Sequence, residues 1–235
     1  MKSESSFSRI THHASRPPIR AITFDVGGTL IEPWPSVGHV YAAIAARHGF
    51  HELSAEVLNR QFASAWKKLS GFNYTRPEWF EIVNQSFAGL TRTPLSEILF
   101  ADLYSHFGRA EAWRIFDDVL PALESLRSRG LKLGIISNWD ERLRPLLHEL
   151  KLDRFFQTIV ISCEAGACKP SATIFNRAAE FLGFPPASIL HIGDDPVLDV
   201  AGAKSAGFQG LLARDPGKPP QTNSLALLDS VLFPM

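Results

Sequence analysis

The chain has 235 residues, 45% hydrophobic and 20% charged, which allows a sizeable globular core and requires no disulfide or metal staple to fold. Lysine plus arginine equals aspartate plus glutamate at 24 each, so no bulk charge draws the protein to nucleic acid or an anionic membrane, and any bound anion must be held locally. No apolar segment reaches the roughly 18 residues of a membrane span. Cys163 and Cys168 lack the companions of a zinc site and read as reduced thiols of a cytoplasmic protein.

Residues 1–19, rich in Ser, Arg and His, carry no apolar signal core and read as a flexible tail. The run from Ile22 then ends at Asp25 and meets Gly27 and Gly28. That pattern predicts a buried strand delivering a carboxylate into a tight, close-approach loop. From Val37 the apolar residues recur at helical spacing. Val37-Tyr41-Ile44-Ala45, Val57-Phe62-Trp66-Leu69, Trp79-Phe80-Val83-Phe87 and Leu95-Ile98-Leu99-Leu103-Phe107 predict four helices, the last opened by Thr93-Pro94 and closed by Gly108. Aromatics that follow this period, Trp79 among them, read as core, and so does Trp34.

After Phe116 the pattern alternates between helix and strand. A helix from Asp117-Asp118 to Gly130 precedes a strand over 131–136 that ends in Ser137-Asn138; a helix over 141–150 precedes a strand over 158–162 and the loop with Lys169-Pro170. A helix over 171–182 and a strand over 188–192 lead to Gly193-Asp194-Asp195-Pro196, a helix running to Ala206, and a strand over 210–213. The Pro- and Gly-rich segment from Asp215 to Asn223 reads as a surface connection to a last turn around 225–228. Such alternation predicts an α/β protein with a Rossmann-like parallel sheet covered by helices on both faces. Residues 20–32 and 113–235 form the core, and 33–112 are an inserted all-helical domain.

Asp25 and Thr29 follow the first strand, Ser137 and Asn138 the second, Lys169 the third, and Asp194, Asp195 and Asp199 the fourth. Parallel sheets bind ligands at this edge. Taken singly, Ser137, Asn138 or Asp140 suits a cap of the next helix, Lys169-Pro170 a solvated turn, and Asp194-Asp195-Pro196 a helix start with favourable dipole placement. Taken together, they suit phosphoryl transfer onto a carboxylate. Asp25, Asp194 and Asp199, with Asp195 as an alternative, are hard oxygen ligands of the kind Mg²⁺ prefers, and Lys169 is a second compact positive charge. Ser137, Thr29 and the N–H groups of the glycine loop suit the non-reacting phosphate oxygens, leaving Asp25 as nucleophile.

The order Asp-x-Gly-Gly-Thr-Leu (25–30), Ser-Asn (137–138), Lys-Pro (169–170) and Gly-Asp-Asp-x₃-Asp (193–199) resembles the four motifs of the haloacid dehalogenase superfamily of hydrolases. The helical insertion between the first two motifs resembles that of its C1-cap branch, which contains phosphatases, phosphoglycomutases and 2-haloacid dehalogenases. The resemblance implies Asp25 as nucleophile, and Ser137 and Lys169, with Gly28, Thr29 and Asn138, around a phosphorylated small-molecule substrate. It also implies Mg²⁺ held by Asp25, the Gly27 carbonyl and Asp194, with Asp199 assisting.

One position departs from the pattern. Phosphatases of this family carry a second Asp two residues after the nucleophile as general acid and base, and this chain has Gly27. Losing such help costs roughly 10²- to 10⁴-fold, about 3 to 5 kcal/mol of barrier. Three readings follow: a phosphatase that is slow or takes a substitute acid such as Glu32 or His39, a 2-haloacid dehalogenase, and a binding or regulatory protein that has lost turnover. The acidic 193–195 loop favours a cation and speaks against a haloacid carboxylate.

Overall fold

The computed structural model describes residues 17–214 except 70 and 93, together with 224–228 and 232. Most of the expected tail (residues 1–16), Thr93 and the segment from Asp215 to Asn223 therefore lie outside the described residues. Strand β1 (Ala21–Phe24) is buried along its whole length and pairs in parallel with β4 (Lys132–Ser137) on one side and β6 (Ile189–Gly193) on the other. With β5 (Thr158–Ile161) and β7 (Gln209–Leu212) the sheet order is β5-β4-β1-β6-β7. The chain moves outward from β1 in both directions, which places the switch in strand order at the end of β1, beside Asp25.

A parallel sheet needs cover on both faces, and the period-2 alternation of its strands supplies it. Ile22, Phe24, Leu133 and Ile135 share one buried cluster with α5 (Val119–Ser128) and α6 (Leu143–Glu149). Ala21, Ile136, Val160 and Ile189 share the other with α8 (Ala172–Leu182) and α9 (Gly202–Ser205). The four helices α1 (Val37–Arg47), α2 (Ala55–Lys67), α3 (Arg76–Phe87) and α4 (Ser96–His106) pack around a third cluster of their own, centred on Tyr41, Ile44, Leu58, Phe87, Leu99 and Leu103. Side-chain oxygens of Ser36, Ser54 and Thr75 accept the first N–H groups of α1, α2 and α3, which is why these helices start where they do.

The structure departs from the sequence reading in several places. Strands β2 (Ile31–Pro33) and β3 (Trp113–Ile115) form an antiparallel ribbon, with Ile31 opposite Ile115 and Pro33 opposite Trp113, at the two crossings into the helical block. Three residues are too few to show a period, and the partners are far apart in sequence. Helix α5 starts at Val119 with Asp118 at its N-cap position, but the Asp118 carboxylate does not cap it and binds Arg214, Ser224 and the Leu225 N–H instead. A short helix α7 (Ser162–Ala165) follows β5 directly. The helix expected from 196 to 206 is a π-helical turn over Pro196–Ala201 that tightens into α9. Trp34 is 46% exposed and stacks on the Arg114 guanidinium, 3.9 Å from the ring centre. No helix among the described residues is long and apolar enough to cross a membrane.

A candidate active site at the carboxyl ends of the strands

β1 ends in Phe24, and the next residue, Asp25, projects from the strand end with 8% exposure. The turn after it needs glycine: Gly28 has φ +79°, and a Cβ there would lie 2.5 Å from Asp194 Oδ2. Close approach of this backbone is what lets Asp194, from the end of β6, sit beside Asp25. Thr29 Oγ1 donates to Asp194 Oδ1 at 3.2 Å and orients it.

Ser137, the last residue of β4, donates from Oγ to Asp25 Oδ1 at 2.8 Å. Lys169 Nζ donates to the same Oδ1 at 2.7 Å and to Asp199 Oδ1 at 2.5 Å, so one ammonium joins two carboxylates from different strand ends. Lys169 is itself held by Asn138, whose Oδ1 accepts from the Lys169 N–H at 2.7 Å and whose Nδ2 donates to the Lys169 carbonyl at 3.1 Å. The hydrogen bonds of Thr29 and Asn138 thus run to other site residues.

Asp199 owes its position to the π-helical turn. Both Asp199 and Val200 N–H groups reach the Asp195 carbonyl, the wide turn rotates residue 199 toward Lys169, and the Asp195 N–H donates to Asp199 Oδ2 at 3.0 Å. The Asp195 carboxylate caps this turn by accepting from the Val197 and Leu198 N–H groups. His191, fully buried in β6, donates from Nε2 to Asp199 Oδ1 at 3.1 Å and accepts at Nδ1 from Thr23 Oγ1 at 2.9 Å. A carboxylate accepts only, which fixes this tautomer. A lone histidine in an apolar strand carries no sequence signal that separates it from core, so His191 and Thr23 escape a reading of the sequence.

Asp25, Asp194 and Asp199 bring three carboxylate oxygens within 4.8 Å of one another. Burial raises the Asp25 pKa; Lys169 opposes this and Asp199 adds to it. Burial, then Asp25, then Asp199 push Asp194 up to about 7. Burial works the same way on Asp199, but the Lys169 ammonium and the His191 bond outweigh it and hold Asp199 well below the usual carboxylate range. Burial disfavours the charged Lys169, and Asp25 and Asp199 more than restore it. Burial depresses His191, which is therefore neutral. Three carboxylates against one ammonium leave an excess of negative charge on hard oxygen donors, and this set fits a divalent cation such as Mg²⁺.

Above these residues lies a cavity of about 410 Å³ between the sheet edge and the helical block. Asp25, Gly27, Gly28, Ser137, Asn138 and Lys169 line its floor, and Tyr41, Phe62, Trp66, Tyr74, Trp79 and Trp113 its walls and roof. Trp79 Nε1 donates to Asp140 Oδ2 at 2.9 Å, and Asp140 also binds Arg142, which donates to the Tyr104 carbonyl at 2.7 Å. Trp79 is thus a link between α3 and the loop after β4. Glu32 pairs with Arg114 and His39 with Ser36, and neither lines the cavity, so neither residue is placed to supply a proton there.

The pattern of the haloacid dehalogenase-like hydrolases matches residues 19–207. The chain belongs to this family. Within it, the haloacid dehalogenase-like hydrolase domain-containing protein 3 of Danio rerio is 34% identical over 84% of this chain and 86% of its own length. A protein of Methanopyrus kandleri named glyceraldehyde 3-phosphate phosphatase is 29% identical over 81% of this chain and 82% of its own. The magnesium-bound haloacid dehalogenase-family hydrolase YfnB of Bacillus subtilis superimposes with a TM-score of 0.73 at 19% identity, covering 92% of this chain and 99% of that one. At that identity the likeness is one of fold.

Proposed function

We propose that this hydrolase is a Mg²⁺-dependent phosphatase of small phosphomonoesters or acyl phosphates, acting in the cytoplasm through a phosphoryl group carried on Asp25. The observation that carries this reading is the geometry of Asp25: its side-chain bonds among the described residues, from Ser137 and Lys169, both fall on Oδ1, which holds the carboxylate and leaves Oδ2 to attack phosphorus. Bond formation to Oδ2 accompanies loss of the leaving oxygen, and attack of water on the aspartyl phosphate then frees phosphate and restores Asp25. Lys169 neutralises charge between the carboxylate and the phosphoryl oxygens, and Ser137 orients the nucleophile. Asp25 and Asp194, with Asp199 and the Gly27 carbonyl, would hold Mg²⁺, which when bound supplies Lewis-acid stabilisation of the transferring group.

In this reading residues 33–112 are a cap that closes over a core of 20–32 and 113–235. The aromatic lining favours a substrate whose leaving group is planar or apolar. The phosphatase name of the Methanopyrus kandleri relative supports the phosphoryl chemistry. The test is phosphate release from acetyl phosphate and p-nitrophenyl phosphate with Mg²⁺ and with chelator, beside halide release from 2-chloropropionate. Metal-dependent phosphate release that Asp25→Asn abolishes is expected. Chelator-insensitive halide release would establish the dehalogenase instead, and no turnover of any compound would leave a binding protein.

A further inference from the structure

The acid–base position of the family pattern is glycine here, and the structure closes the space beside it. A Cβ at Gly27 would lie 3.1 Å from the Trp139 ring, and that ring packs on Trp113 at 5.2 Å between ring centres while the Trp139 backbone N–H donates to Ser162 Oγ at 3.0 Å. A proton carrier is therefore to be sought elsewhere in the cavity.

Tyr74 lies there, in the loop between α2 and α3, and lines the same cavity as Asp25 and Lys169. Its backbone is in the left-handed region, with φ 61°, where a bulky aromatic is rare and strained. Such strain persists only where the surroundings over-determine it, and here they do. The Tyr74 ring contacts Phe72 at 4.7 Å, Trp79 at 6.1 Å and Trp66 at 6.3 Å, and these three rings contact one another. Thr75, the next residue, opens α3 with a reciprocal cap to Glu78, and Trp79 ties the group to Asp140. The consequence is that the Tyr74 phenol is held in the cavity that Asn138, the residue that clamps Lys169, also lines. Burial, and after it Asp25, keep the phenol protonated, whereas Lys169 and the Asn138 side chain favour the phenolate. Burial and Asp25 outweigh these, so the hydroxyl is a neutral donor.

We propose that Tyr74 is a catalytic residue of the phosphatase, giving its hydroxyl proton to the leaving oxygen in place of the carboxyl group that Gly27 lacks. This rests on the phosphoryl-transfer reading above. As Asp25 Oδ2 bonds to phosphorus, the P–O ester bond breaks, its electron pair goes to the leaving oxygen, and that oxygen takes the Tyr74 proton. The Tyr74 phenolate then takes a proton from the water that attacks the aspartyl phosphate, which releases phosphate and restores the hydroxyl. The substitution Tyr74→Phe keeps the ring and removes only the hydroxyl, so it isolates the proton from the packing.

The experiment compares Tyr74→Phe with wild type in kcat/KM for two aromatic esters, p-nitrophenyl phosphate, whose leaving group departs without a proton, and benzyl phosphate, whose alkoxide needs one. Tyr74→Phe should lower kcat/KM for benzyl phosphate by about 10²-fold or more and for p-nitrophenyl phosphate at most several-fold. Fluorotyrosine installed at position 74, which alters acidity with little change of shape, should keep the benzyl phosphate activity that phenylalanine loses. Equal losses on both esters, or none, would overturn the assignment and leave Tyr74 a packing residue. Absence of Asp25-dependent release from p-nitrophenyl phosphate by wild type would instead overturn the phosphatase reading itself.

Discussion

Asp194 and Lys169 are the residues on which the charge balance of the site turns. Asp194 has a pKa of about 7 in the folded protein against an ordinary 3.8. A carboxyl group so raised binds its proton more tightly in the native state than in the unfolded chain, so the metal-free protein loses stability as pH rises through that interval. Asp194→Asn removes the loss. Its melting temperature in chelator at pH 8 should exceed that of wild type, the gap should vanish near pH 4, and Mg²⁺ should raise it less; a gap independent of pH would refute this account. Lys169 instead stabilises the fold, as the buried partner of two carboxylates. Lys169→Met leaves them facing each other unpaired, and urea denaturation should report a loss of about 3 to 5 kcal/mol. Asp25, Ser137, Lys169, Asp194 and Asp199 were all legible in the sequence, since each is a polar residue following an apolar strand. His191, Trp139 and Tyr74 were not, because a histidine inside a strand and aromatics in loops carry no local signal that separates them from core until their neighbours are known.

Among the elements, the helices and principal strands announce themselves through period and caps, and their departures from expectation have local causes. The π-helical turn after Asp195 replaces an ordinary helix start because the Val200 N–H reaches the Asp195 carbonyl, and that widening is what aims Asp199 at Lys169. The three-residue strands β2 and β3 gave no periodic signal, and only the pairing of Ile31 with Ile115 makes them strands. Helix α3 matters most for the cavity, since its cap anchors Tyr74. Glu78 accepts from the Thr75 N–H and hydroxyl, and Thr75 Oγ1 accepts from the Glu78 N–H. Thr75→Ala should lower stability by about 1 kcal/mol in urea and reduce kcat/KM for benzyl phosphate more than for p-nitrophenyl phosphate. A change in stability alone would mean that the cap does not position the hydroxyl.

Across the molecule as a whole, the helical block and the sheet have separate buried clusters and meet across the cavity through a few polar links such as Trp79 to Asp140. The β2–β3 ribbon brings Pro33 opposite Trp113, so residues 34–112 can be replaced by a short turn without stretching the sheet. That excision should leave a core that melts cooperatively and is still stabilised by Mg²⁺, read by circular dichroism, while losing turnover of benzyl phosphate far more than that of p-nitrophenyl phosphate, because Tyr74 goes with the excised segment. A core that fails to melt cooperatively would show that the two clusters fold as one. The α/β class, the helical insertion and the five strand-end residues follow from the chain alone, because period, turn chemistry and motif order are local and survive without coordinates. Folding adds that Asn138 clamps Lys169, that His191 braces Asp199, and that Trp139 closes the space beside Gly27 while Tyr74 lines the same cavity. Those facts depend on side chains far apart in sequence meeting at one sheet edge, and no local pattern encodes such meetings.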